Sequence, residues 1–300
     1  MKKSISMLLA AMMLTGALSG CGGSSSSASS DSQASGNGSG VSGAITVISR
    51  EDGSGTRGAF IELTGVEEKN DAGEKIDNTT ADAEIANKTD VVLTSVAGNE
   101  KAIGYISLGA LNDTVKAVKV DGAEATVDNV KAGAYKLSRP FNIATKGEPT
   151  GVAKDFINFI LSKEGQAVVT DNKYIAVNDA AESFVSDGSS GQIAVGGSSS
   201  VSPVMEKLIE AYKSVNPNAS IDLQTSDSTS GMTGAMDGTF AIGMASRELK
   251  DEEAAQLTGT AIALDGIAVI VNPANTIDEL SMDQIKSIYV GDITDWGDLA

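Results

Sequence analysis

ITVISREDGSGTRGAFIEL, residues 45–63, decides the fold. ITVI is a short apolar run and reads as a buried strand. GAFIEL reads as the first turns of a helix, which makes SREDGSGTR a strand-to-helix turn. Gly53 and Gly55 let the backbone turn tightly and come close to a ligand. Amides at a helix start have no internal partners and carry the positive end of the dipole. Ser54 and Thr56 add hydroxyls, and Arg50 adds a planar fork that fits an oxyanion. The turn is a candidate seat for a small anion. A local reading competes: Ser54 or Thr56 caps the helix, and Arg50 pairs with Asp52 on the surface.

The theme returns in IAVGGSSSVSPVMEKLIEAYKSVNP, residues 193–217: strand, Gly/Ser turn, helix. Pro203 suits a first helical position with Ser202 as its cap. Val204, Leu208, Ala211 and Val215 are expected to face the core. SIDLQTS is a strand, STSGMTGAMDG a turn into a short helix, FAIGMAS a strand, and ALDGIAVIVNP a long apolar strand. SMDQIKSIYVG reads as a helix capped by Ser281. In the earlier half, residues 79–99 suit one or two helices, and AIGYISLG, VKAVKVDG and RPFNIATKG read as strands. VAKDFINFILSKEGQAVV is the clearest helix, with Val152, Phe156, Phe159 and Ile160 on one core face. Strands alternating with helices predict α/β layering on mainly parallel sheets. In such sheets ligands sit at strand carboxyl ends. Four turns hold that position and carry hydroxyls or an arginine: 50–56, 197–201, 226–231 and 245–247.

Composition narrows the chemistry. The 300 residues hold 40 acids against 22 basic residues and no histidine, a formal charge of −18. Such a surface argues against nucleic acid or anionic membrane as partners, and any anion affinity must come from local, oriented donors. Without histidine there is no Ser-His-Asp triad, Cys-His pair or histidine metal cage. No GxxxxGK[ST] or GxSxG pattern occurs. Neither an enzyme nor a cofactor or metal site is expected.

Residues 1–21 read as a secretory signal: Lys2 and Lys3, an apolar stretch, then small residues before Cys21. Leu18-Ser19-Gly20-Cys21 resembles the bacterial lipoprotein processing box, which implies cleavage before Cys21 and lipid attachment to its sulfur. Residues 22–43 form a Gly/Ser-rich tether, so the folded part is expected from about Ala44, on the outer face of a membrane.

SREDGSGTRGAFIEL, GGSSSVSPVMEKLIEAY, STSGMTGAMDGTFAIGMASRELKDEE, LDGIAVIVNP, AIGYISLG and FINFILSKEGQAVV together closely resemble the phosphate-binding lipoproteins of bacterial phosphate ABC importers, over nearly all of residues 44–300. The resemblance implies a two-lobed periplasmic-binding-protein clamp that closes on one phosphate and delivers it to a permease with an ATPase, working as a monomer. It implies that Arg50 pairs with phosphate, that Ser54, Gly55 and Thr56 form the donating turn, and that Asp52 holds the arginine. Ser200 and the Val201 amide match the first contact of the second half, with Ser199 one register step away, and Ser228 matches the next hydroxyl. Arg57 and Arg247 are expected in surface pairs.

Two departures stand out. Ser246 lies where some members carry an aspartate that accepts a proton from phosphate, which leaves selectivity against sulfate open. The halves are also reversed, since the GGSSSVSP half usually comes first. Either the chain is a circular permutant, joined at the polar linker 183–192, or it is a piece of a longer tandem. In both cases the halves are expected to fold together. One lobe would be 44–139 plus 267–300 and the other 140–266, with hinges near Arg139–Asn142 and Leu264–Ala268.

Overall fold

The structure, a computed structural model, describes residues 41–299. The signal segment, Cys21 and the tether as far as residue 40 lie outside the described residues.

The strand and helix signals condense onto one nine-stranded mixed sheet. On one flank the Thr46–Arg50 strand runs parallel to both its neighbours, Glu84–Ala86 and Ala102–Ser107. On the other flank Gly191–Ser198 runs parallel to Ala219–Ser226 and Ile242–Ala245. Two long strands, Ser138–Thr145 and Thr258–Val271, join the flanks and pair antiparallel with each other. Each also pairs antiparallel with the flank beside it. The parallel expectation therefore describes the flanks and not the middle. A helix follows each flank's first strand and supplies the crossover that parallel pairing needs.

The helices form for local reasons. Gly55–Thr64 begins at Ser54, whose hydroxyl accepts from the Arg57 amide at 3.3 Å, and it stops at Gly65 in the left-handed region. Met282–Val290 carries the expected Ser281 cap, and Gln284 completes a capping box. Gly151–Leu161 buries Val152, Phe156, Phe159 and Ile160 on one face. Each such side chain contributes roughly 1.5–3 kcal/mol of apolar burial.

Three expectations need correction. Residues 79–99 hold a short strand, Glu84–Ala86, before the Thr89–Ala97 helix. Val215 is exposed, and Tyr212, four residues after Leu208, takes the core position instead. The 183–192 segment is pinned to the fold. Asp155, itself buried, accepts from Ser186 Oγ at 2.8 Å and from the Asp187 amide at 2.9 Å, and Gly191 already opens a strand.

The apolar side chains form two main cores. The first gathers Ile48, Phe60, Val92, Tyr105, Ile267–Val271, Tyr289 and Trp296. The second gathers Phe141, Phe156, Phe159, Val204, Leu208, Tyr212 and Ile262. The chain changes cores along these strands: Leu137, just before the first of them, and Ile267 pack in the first core, Phe141 and Ala263 in the second. Arg139 and Asp265 stand opposite each other in register at that change, a buried ion pair at 3.3 Å.

Candidate anion-binding site

Arg50 ends its strand at the carboxyl edge of the first flank and is 2 % exposed. Both oxygens of Glu51 grip it, at 2.8 Å to Nε and 2.8 Å to Nη2. Its Nε also donates to the Ala86 carbonyl at 3.2 Å, and its Nη2 reaches Ser199 Oγ at 3.1 Å. Asp52 does not hold this arginine: its side chain is 97 % exposed and pairs with Arg57 at 2.9 Å. The turn sends the second acid outward and leaves the first beside the guanidinium. Beneath Arg50, Tyr105 is buried, stacks on Phe60 and accepts from the Arg50 amide at 3.1 Å. Burial pushes the Tyr105 phenol up from its ordinary range, so it stays neutral in that place.

The hydroxyls expected from four turns come together. Thr56 Oγ1 meets Ser200 Oγ at 2.8 Å. Ser198 Oγ donates to Ser246 Oγ at 2.9 Å, and Ser228 Oγ accepts from the Ser246 amide at 3.1 Å. Gly55 lies so close that a Cβ there would overlap Ser228 Oγ and stand 2.9 Å from Ser246 Oγ. Ser54, Thr56, Ser199, Ser200, Val201, Ser228 and Ser246 are all buried. Three helices start in this cluster, at Gly55, Ser202 and Ser228. The second departs slightly from expectation: Ser202 is already helical and donates to the Ser198 carbonyl at 3.2 Å, with Val201 in the cap position.

Within the cluster the role of Ser54 differs from that of a ligand donor, while Arg57 and Arg247 pair with carboxylates as expected. Ser54 caps its own helix, as the local reading held, while Arg50 turns inward. Arg57 and Arg247 are committed to carboxylates, Arg57 to Asp77 at 2.9 Å and Arg247 to both oxygens of Glu253 at 2.7 Å.

Three participants escaped the sequence reading. Thr89, first residue of the Thr89–Ala97 helix, is buried with its hydroxyl 3.3 Å from Ser200 and 3.4 Å from Ser199. It adds a fourth helix start to the cluster. Glu51 and Ser198 are the others. Ser198 was visible within the GGSSS run; Glu51 differs from Asp52 only in which way the turn points it. Beside the cluster a cleft of about 650 Å³ is lined by Gly58, Glu62, Arg139, Arg247 and Glu248 among others. Among the described residues no group of Asp, Glu or Cys is placed to hold a metal ion.

A guanidinium, several hydroxyls and four helix starts in one buried cluster make a binding geometry for a small oxyanion. The model of the PBP superfamily domain matches residues 26–164 and 183–300. The chain belongs to the PBP superfamily. Its similarity to the phosphate-binding protein PstS 2 of Streptococcus agalactiae serotype V is 50% identity, over 99% of this chain and 98% of that protein. This places it among the PstS phosphate-binding proteins. The crystal structure of a phosphate-binding protein of a phosphate ABC transporter from Streptococcus pneumoniae TIGR4 aligns with a TM-score of 0.69 at 50% identity, covering 86% of this chain and 100% of that one. The PstS of Bacillus subtilis matches at 34% identity over 45% of this chain and 42% of its own length.

Proposed function

We propose that this chain is a non-enzymatic extracytoplasmic receptor for inorganic phosphate, tethered by lipid on Cys21, that delivers its ligand to an ABC permease and ATPase. The observation that carries the reading is that Arg50, Thr56 and Thr89 on one side, and Ser199, Ser200, Ser228 and Ser246 on the other, meet at one point. Phosphate would lie between two cores joined by the long middle strands. The segments of those strands around Arg139 and Asp265 are then the hinge, and the two cores are the lobes of a clamp.

The same reading makes the chain a circular permutant of the usual order. Residues 43–45 lie against 294–296: the Ile45 amide donates to the Thr294 carbonyl at 2.8 Å and the Trp296 amide to the Gly43 carbonyl at 3.2 Å. Adjacent ends of this kind make permutation tolerable. The streptococcal relative carries the same order over its length, whereas the Bacillus match spans about as much as one half would.

Calorimetric titration with phosphate tests the reading. One-to-one saturable binding is expected, and Arg50→Ala should weaken it by about 1.5–3 kcal/mol or more, the range of a charged hydrogen bond. An unchanged dissociation constant would remove Arg50 from the site. Turnover of phosphate esters would overturn the non-enzymatic part.

A further inference from the structure

The rim of the cluster carries a contact that a ligand role does not explain. Gly53 lies between the exposed Asp52 and the buried Ser54, and its carbonyl accepts from the Thr229 amide at 3.1 Å. The two residues come from opposite sides. Gly53 leads into the Gly55–Thr64 helix, whose Phe60 and Ile61 pack in the first core. Thr229 belongs to the Ser228–Asp237 helix, whose Met232 and Ala235 pack with Ala144, Ala245 and Leu257. Thr229 is the second residue of that helix, so its amide has no partner within the helix. The carbonyl from the other side supplies one.

The same spot excludes a side chain on Gly53. A Cβ there would overlap Asp227 Oδ1 and stand 2.7 Å from Asp227 Cγ. Gly53 does not lie in the left-handed region, so the demand for glycine is one of space. Asp227 is not free to swing away: its Oδ1 accepts from the Ser230 amide at 2.8 Å and its Oδ2 from the Ser230 hydroxyl. Thr229 is fastened on its own side as well. Arg247 Nη2 donates to its hydroxyl at 3.4 Å, and Glu253 grips that arginine with both oxygens.

We propose that Gly53 is a positioning residue, the near half of a latch in which its carbonyl meets the Thr229 amide as the two sides of the cluster come together, and that its bare Cα is what lets the Asp227 carboxylate approach. The inference rests on the phosphate reading above. The latch is made between protein atoms at the rim, outside the ring of hydroxyls around Arg50. It therefore stabilises the shut form whatever the ligand contacts contribute, and it acts on phosphate by slowing its release.

The test is calorimetry and rapid-mixing kinetics of the full chain with inorganic phosphate. Gly53→Ala should weaken binding about tenfold, the scale of one lost hydrogen bond and an overlap, and the change should fall on release rather than capture. Asp227→Ser keeps a hydroxyl that caps a helix and removes the carboxylate. Added to Gly53→Ala, it should recover most of the loss, read as the excess over its effect alone. A ligand turn that alanine had merely disturbed would gain nothing from a change on the opposite side. Should the alanine variant not fold, exchange of the Thr229 amide in the unmodified chain decides: it should slow at least about tenfold when phosphate is bound. Three results would overturn the latch and leave the phosphate reading standing: Gly53→Ala within about twofold of the unmodified chain, a loss that Asp227→Ser does not recover, or a Thr229 amide that exchanges alike with and without phosphate. No phosphate binding by the unmodified chain overturns both.

Discussion

Two arginines, Arg50 and Arg139, are each 2 % exposed, and they live in opposite circumstances. Arg50 sits at a strand end, gripped by both oxygens of Glu51 and by the Ala86 carbonyl, with one nitrogen reaching Ser199 across the cluster. Arg139 sits near the start of a long strand with a single hydrogen bond, to Asp265 at 3.3 Å, its guanidinium over the Phe141 ring at 5.4 Å, and its Nε and Nη1 have no hydrogen-bond partner. Burial works against the charge of both members of that second pair. It lowers Arg139 from its ordinary value and pushes Asp265 up to about 6 against the pull of its partner. A well-coordinated arginine at the edge of a sheet is poised for a ligand. A poorly coordinated one at the change between cores depends on its one partner, and the strands around it depend on the pair.

The largest expected effect lies on the second arginine. Arg139→Ala leaves Asp265 buried without its partner and should cost about 3–5 kcal/mol of stability by denaturant unfolding. Arg139→Met together with Asp265→Leu should be close to neutral, because an apolar pair avoids the desolvation penalty. If the double variant is as unstable as the single one, the comparison between the two arginines is wrong.

The next effect is pH dependence. The folded-state value of Asp265 lies above its ordinary value of 3.8. Between roughly pH 4 and pH 6 the folded protein therefore binds more protons at this site than the unfolded chain. This site's contribution to stability falls as pH rises through that window, and Asp265→Asn should remove that slope from the pH profile of unfolding.

The smallest effect sharpens the first arginine. Asp52→Ala should change phosphate affinity by less than about 0.5 kcal/mol, as an exposed surface substitution does. Glu51→Gln should lower it measurably more. The reverse order would restore Asp52 as the acid that positions Arg50.

Much of this site could be read from the sequence because glycines and hydroxyls at strand-to-helix turns have local causes. Ser54, Gly55, Thr56, Ser200 and Ser228 stand where their turns predict, and Ser281 caps Met282–Val290 as expected. Thr89 was hidden because Glu84–Ala86 is a three-residue edge strand with only Ala86 buried, too short to interrupt a helical reading. The choice between Glu51 and Asp52 turns on a backbone direction that neither side chain encodes. Arg139 and Asp265 lie 126 residues apart, and only the pairing of two long strands brings them together.

One contact near the start of the described chain has a mechanical side. The Val41 amide donates to Thr276 Oγ1 at 3.0 Å, and Gly43 to Asp295 Oδ1 at 2.9 Å. Next along, Ile45 is tied to Thr294, and Trp296 to Gly43. A pull applied at residue 41 is thus shared with residues more than 230 positions away before it reaches the Thr46–Arg50 strand and the arginine at its end. These bonds fasten the start of the described chain to the rim of the first core, ahead of the strand that carries Arg50.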